Sequence, residues 1–80
     1  MQLLVVSSGL KDIIPAGKKV SLSQNGTNLR IWDSKNFGML AELQHYSVTF
    51  QMDDDKTSIE ISGFYRVNDR EYRPVHLECE

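Results

Sequence analysis

Two histidines, His45 and His76, and one cysteine, Cys79, are the side chains of this sequence best suited to proton transfer, nucleophilic attack or metal ligation near neutral pH. His76 stands three positions before Cys79. Positions i and i+3 of a strand face opposite sides, so a Cys–His dyad or a shared metal is not expected there. A zinc centre needs further soft ligands, and the chain has no other cysteine. The reading is therefore no metal, with His76 facing solvent and Cys79 half-buried near the C-terminus.

The carboxylates and hydroxyls are equally sparse in pattern. Asp53-Asp54-Asp55 opens like a calcium loop, but that loop needs Gly at its sixth position and Glu at its twelfth. Ser58 and Phe64 stand there instead, so the aspartates read as a solvated turn. No Gly-x-Ser-x-Gly elbow occurs. Ser8-Gly9 and Ala16-Gly17-Lys18-Lys19 are too short for a phosphate-cradling loop and no helix pattern follows them. The expectation is a protein that is not an enzyme and carries no cofactor.

Binding is the better-supported class. If Leu29 and Ile31 point inward, Arg30 and Trp32 share the outer face of their strand. If Ile59 and Ile61 point inward, Phe64 and Arg66 fall outward with Glu60 and Ser62. Aromatic and Arg side chains are enriched at interface hot spots, so Arg30, Trp32, Phe64 and Arg66 form the candidate patch. Two alternatives stand beside it. A second layer would make Trp32 and Phe64 core residues, and a bulge at Gly63 would exchange the facings of Phe64 and Tyr65. The same aromatics, with Lys18, Lys19, Lys35, Arg66, Arg70 and Arg73 at loops, could also stack bases and grip phosphates. Asp69 and Glu71 interleave with the arginines, however, and the formal net charge is −2. Nucleic acid is thus the weaker partner class.

The elements that must position these residues are constrained by size. Eighty residues make one domain, with 19 Leu, Ile and Val to fill a single thin core. Such cores leave roughly 3–5 kcal/mol of net stability, which leaves room for a homo-oligomer or a bound partner to add more. One cysteine cannot staple the chain internally, and small secreted domains usually carry several disulfides, so a reducing, cytoplasmic location is expected. The first residues lack a basic stretch followed by a long apolar one, and no apolar run approaches membrane-spanning length. No signal peptide or membrane span is expected. Residues 1–40 carry five Lys/Arg against two Asp/Glu, and residues 41–80 four against nine. The fold must either mix these halves or present two poles.

Period-two alternation dominates. Tyr46-Ser-Val48-Thr-Phe50-Gln-Met52 is the clearest strand, Asp53–Lys56 a turn, and Ser58–Val67 a second strand. Asn68–Glu71 turns again, and Val75–Cys79 follows Pro74, giving a three-stranded meander over 46–79. In the first half, Gln2–Val6 is a short strand, and Ser8–Ile14 a loop or a single helical turn. Lys19–Gln24 and Leu29–Trp32 flank Asn25-Gly26, a strong hairpin signal. Residues 36–45 fit either state: Met39, Leu40 and Leu43 have helical spacing, yet the segment also suits a strand.

Leu29-Arg30-Ile31-Trp32-Asp33, then Met39-Leu40-Ala41-Glu42-Leu43, then His45 and Val48-Thr49-Phe50 resemble part of a WD-repeat blade, in which Trp-Asp ends one strand and a Leu-Ala-x-Leu strand returns. The likeness covers about 23 of the 80 residues. It departs from the family where Lys35-Asn36-Phe37-Gly38 replaces the Thr-Gly turn and Gln44-His45 the Gly-His pair. A propeller needs at least four blades of about 40 residues, so the resemblance implies a hairpin over 29–43 and no function.

These elements sum to a mostly β single domain spanning residues 1–80: a small antiparallel barrel or sandwich of six or seven short strands. The alternative is an α+β fold with one helix near 36–45 packed on an antiparallel sheet. The function expected is a non-catalytic protein-binding module, such as a small inhibitor or regulator of a larger machine. The alternatives are a small β-barrel that binds single-stranded nucleic acid and a structural subunit that self-associates through a strand edge.

Overall fold

The computed structural model describes residues 2–80. Six antiparallel strands follow one another around a closed barrel: β1 (Leu3–Ser8), β2 (Lys19–Asn25), β3 (Asn28–Asp33), β4 (Met39–Asp53), β5 (Lys56–Arg66) and β6 (Tyr72–Cys79). β1 closes the ring by pairing with both β2 and β6. Every neighbouring pair is antiparallel, and all but the closing β1–β6 pair are sequential in the chain.

The alternation in the sequence sets which side chains fill the barrel. Val20, Leu29, Ile31, Ala41, Leu43, Ile59, Ile61, Val75, Leu77 and Cys79 point inward and are buried. Cys79 is therefore not half-buried, as the sequence implied, but part of the core beside Val5 and Ile59. The Ser8–Ile14 segment resolves into a single turn. The Ile13 and Ile14 amides donate to the Leu10 carbonyl at 3.0 and 2.7 Å, and the Leu10 amide donates to Ser8 Oγ at 2.9 Å. That turn places Leu10 and Ile14 one above the other, and both are buried at the barrel end.

Residues 36–45 are not helical. Residues 39–53 form one long strand, paired to β3 from Trp32–Met39 to Leu29–Leu43. The helical spacing was produced by a bulge: the register shifts between Ile31 and Trp32, so Leu40 is an extra residue on β4. Leu40 packs against the core with Ala41, and Met39 is turned to the outer face opposite Trp32.

Two other local expectations shift by a residue or a strand. At the β2–β3 hairpin, Asn25 pairs with Asn28, so Gly26 and Thr27 form the turn, with Gly26 at φ +62°. The bulge expected at Gly63 lies across from it. Gln44 pairs with Phe64 and Ser47 with Ser62, leaving His45 and Tyr46 of β4 opposite the single Gly63. His45 adopts φ +49° there. Gly63 is the residue that admits this bulge, because a Cβ on it would lie 3.0 Å from Leu43 Cβ, 3.2 Å from the Gln44 carbonyl oxygen and 3.3 Å from Tyr46 Cβ.

Barrel topology mixes the two charge halves of the sequence, yet charge still differs between the barrel ends. The β1–β2, β3–β4 and β5–β6 loops share one end, with Lys11, Lys18, Lys19, Lys35, Arg66, Arg70 and Arg73 against four acidic residues. The β2–β3 and β4–β5 turns share the other end, which carries Asp53, Asp54 and Asp55. β4 and β5 run past the ends of their neighbours as a two-stranded arm, which lengthens the molecule to 43 × 25 × 23 Å. None of the described residues forms a helix long and apolar enough to cross a membrane.

Candidate functional site

The inward alternation of β3 fixes Arg30 and Trp32 on the outer face, where both are partly exposed. Trp32 Nε1 donates to Ser23 Oγ at 2.7 Å, which pins the indole to β2. Arg30 Nε donates to Glu42 Oε1 at 2.7 Å, and Asn28 Nδ2 donates to the other carboxylate oxygen at 2.8 Å. The bonds from Arg30 and then Asn28 hold the Glu42 carboxyl below its usual range. Because no bulge interrupts β5, Phe64 and Arg66 also face outward. Phe64 is 40% exposed and its ring meets His45 edge-on at 6.3 Å. Arg66 pairs with Asp69 at 2.9 Å.

The four candidate residues therefore share the outer surface but split into two pairs. Arg30–Trp32 on β3 and Phe64–Arg66 on β5 are separated by β4, a gap of two strand spacings, or about 10 Å. Glu42 and Gln44 occupy the intervening strand.

A group of exposed apolar side chains also adjoins Trp32. Met39, its cross-strand partner, is 51% exposed, and Phe37 in the adjoining loop is 80% exposed. Phe37 is held at φ +60°, a conformation that a bulky aromatic side chain rarely adopts. The loop is built to hold it. The Phe37 amide donates to the Asp33 carbonyl at 2.9 Å, the Asp33 amide to the Gly38 carbonyl at 2.8 Å, and the Gly38 amide to Asn36 Oδ1 at 2.9 Å. Asp33 is itself buried and satisfied by Lys18 Nζ at 2.8 Å and by the Lys35 amide at 2.8 Å. Those two bonds, Lys18 first, pull its carboxyl below the usual range. Beside this loop, Pro15–Lys19 and Asp33–Lys35 line an open depression of 720 Å³. Phe37 and Met39 were missed from sequence. Phe37 stood in a turn, and only the bulge at Leu40 brings Met39 to the Trp32 face.

A second cluster joins residues that lie far apart in sequence. Ser62 pairs with His76, and Glu60 with Glu78, on the outer face of β5–β6. Ser62 Oγ and His76 Nδ1 are 3.1 Å apart. His76 Nε2 lies 3.7 Å from Glu78 Oε1, and ligand atoms of Glu60, His76 and Glu78 fall within 4.8 Å of one another. These three could hold a divalent cation. As a nucleophile–base–acid relay the set is poorly arranged, since the carboxylate is beyond hydrogen-bond reach of the ring and the imidazole is half-exposed to water. The sequence showed no sign of it, because it depends on cross-strand register and not on spacing along one strand. Cys79 faces the opposite, inner side, and burial pushes its thiol pKa up.

No protein-family model, curated protein or solved structure matches the chain.

Proposed function

We propose that this protein is a non-catalytic protein-binding module, a small inhibitor or regulator that contacts a larger protein through the outer surface of the β3–β4 hairpin. The observation that carries this reading is the placement of the exposed Phe37 and Met39 beside the partly exposed Trp32, flanked by the Arg30–Glu42 pair. Large apolar side chains left in water beside a filled core are the usual mark of an interaction surface. Phe37 adds to this, because strain at an exposed aromatic residue is retained where function needs it. The barrel interior is filled by buried apolar side chains.

The test is capture of a partner by the wild-type chain and by Trp32→Ala, Phe37→Ala and Phe64→Ala variants that keep the β-sheet circular dichroism signal. Loss of capture with Trp32→Ala and Phe37→Ala supports the assignment. Full capture by both in a folded chain overturns it. Phe64→Ala reports whether the contact extends over β4.

One observation favours a second reading, single-stranded nucleic acid. The same barrel end that presents Trp32 and Phe37 gathers Lys19 and Lys35, with the Asp33-paired Lys18, around the depression beside them. This reading requires binding that weakens steeply with salt. Arg30 and Arg66 are already engaged by Glu42 and Asp69, which is why it ranks second.

A further inference from the structure

We propose that two copies of this chain associate through the open edge of β4, pairing residues 47–53 antiparallel about a twofold axis at Phe50. This association is independent of the β3–β4 surface proposed above, which sits at the opposite end of the barrel.

The open edge is a consequence of unequal strand lengths. β3 pairs with β4 only as far as Leu43, and the β2–β3 turn follows at Gly26–Thr27. β5 accompanies β4 to the Asp53–Lys56 closing pair. Seven residues, Ser47–Asp53, thus have a partner on one side and none of the described residues on the other. Asp53 and Lys56 close a two-residue turn and exchange both of their backbone bonds, and the alternation runs back from there. Gln51, Thr49 and Ser47 bond across to β5. The N–H and C=O groups of Val48, Phe50 and Met52 point to the open side. An exposed edge of this kind is a template for strand addition.

Three features select a second copy of the same strand as the occupant. The first is length. A strand laid on this edge is stopped by the β2–β3 turn next to Ser47, and a copy of β4 is stopped by its own turn after Asp53. Placing Asp53 of one copy against Ser47 of the other fits seven residues to seven, with Phe50 opposite Phe50.

The second is side-chain complementarity. Tyr46 and Val48 pack against the core, and the period of two puts Phe50 and Met52 on the same face beyond the barrel, where they are 64% and 79% exposed. The twofold register sets Val48 against Met52 and Phe50 against Phe50 on that face, and Ser47 and Thr49 against Asp53 and Gln51 on the other. Apolar meets apolar and polar meets polar at every position.

The third is charge. Parallel pairing would place the two Asp53-Asp54-Asp55 tips side by side. Antiparallel pairing sends them to opposite ends of the joint ribbon, where each lies beside the neutral Asn25–Asn28 turn of the other copy. The aspartates thereby allow one orientation and oppose the other.

Sedimentation velocity of the full chain over a wide concentration range reads this directly. The expected result is a rise from one to two chain masses. In Phe50→Lys the transition moves to concentrations at least on the order of a hundredfold higher, since a like-charge pair replaces the central aromatic pair. Phe50 is exposed, so the variant's melting temperature at low concentration stays near wild type. The register is read by the double variant Thr49→Cys/Gln51→Cys. Those positions face each other as a non-hydrogen-bonded pair about 4.5 Å apart at Cα, within disulfide range. Mild oxidation crosslinks the double variant into a covalent dimer and leaves Thr49→Cys alone uncrosslinked. A single-chain mass at every concentration, a dimer that Phe50→Lys leaves intact, or equal crosslinking of Thr49→Cys alone would each overturn the proposal.

Discussion

Gly63→Ala is expected to destabilise the protein, although the same change in an ordinary strand stabilises it by about 0.5–1 kcal/mol. The reason is the bulge across from it. An added Cβ meets Leu43 Cβ at 3.0 Å, the Gln44 carbonyl oxygen at 3.2 Å and Tyr46 Cβ at 3.3 Å. All three atoms are backbone or attached directly to it, so no flexible side-chain end can swing away. Overpacking of this kind typically costs about 1–3 kcal/mol. Set against the propensity gain, the net loss is about 1–2 kcal/mol, a large share of the roughly 3–5 kcal/mol available to a core this small. In a domain of this size that lowers the melting temperature by roughly 5–15 °C. Thermal and urea unfolding followed by circular dichroism reads it. An unchanged or raised melting temperature would show that β4 does not crowd Gly63, and the bulge at His45–Tyr46 would then be misplaced.

Four further outcomes follow from named contacts. Lys18 and the Lys35 amide hold Asp33, and Arg30 and Asn28 hold Glu42, below the ordinary carboxylate range; groups depressed in the folded state contribute stability above their ordinary values near about pH 4 and lose it as pH falls through the depressed ones. Unfolding free energy is thus steady near neutrality and falls below about pH 4, and Asp33→Asn and Glu42→Gln each flatten that acid limb in urea titrations. Cys79 is buried with a raised pKa, so a thiol reagent labels it only as fast as the chain opens, and labelling accelerates with denaturant. Leu77→Ala, at a fully buried site, costs about 2–5 kcal/mol, most of the roughly 3–5 kcal/mol of a core this small, and lowers the melting temperature sharply by the same circular dichroism measure. Phe37→Gly relieves the left-handed backbone and raises stability by roughly 0.5–1 kcal/mol, while partner capture falls.

The strands were legible because alternation survives over most of their length. Ile59, Ile61, Val75, Leu77 and Cys79 name the inner face of β5 and β6 without any knowledge of register. The outward facing of Phe64 and Arg66 followed from the same count. What could not be read were the places where the count breaks. Leu40 and the His45–Tyr46 pair each add a residue to β4, and an added residue makes a strand look helical at Met39–Leu43. Gly63 did signal a bulge, but a glycine marks where backbones approach closely and does not say which strand carries the extra residue. The Glu60–His76–Glu78 cluster and the Trp32–Met39 neighbourhood depend on cross-strand pairing, which spacing along one strand does not encode. The arm is similar: the strand at 46–52 was plain, but its lack of a neighbour follows only from where β3 stops.

Protein binding through the β3–β4 surface is read by site-specific photocrosslinking. A photoreactive amino acid replaces Met39, beside Trp32, or Lys56 on the acidic arm as a control. Each chain is irradiated in lysate of the cells that make it, with and without nuclease, and adducts are read by mass spectrometry. Binding there gives one protein adduct at residue 39 that persists after nuclease treatment, is absent at residue 56, and is lost when Trp32→Ala is added. An adduct that disappears with nuclease, or no adduct at residue 39 under any condition, would contradict it.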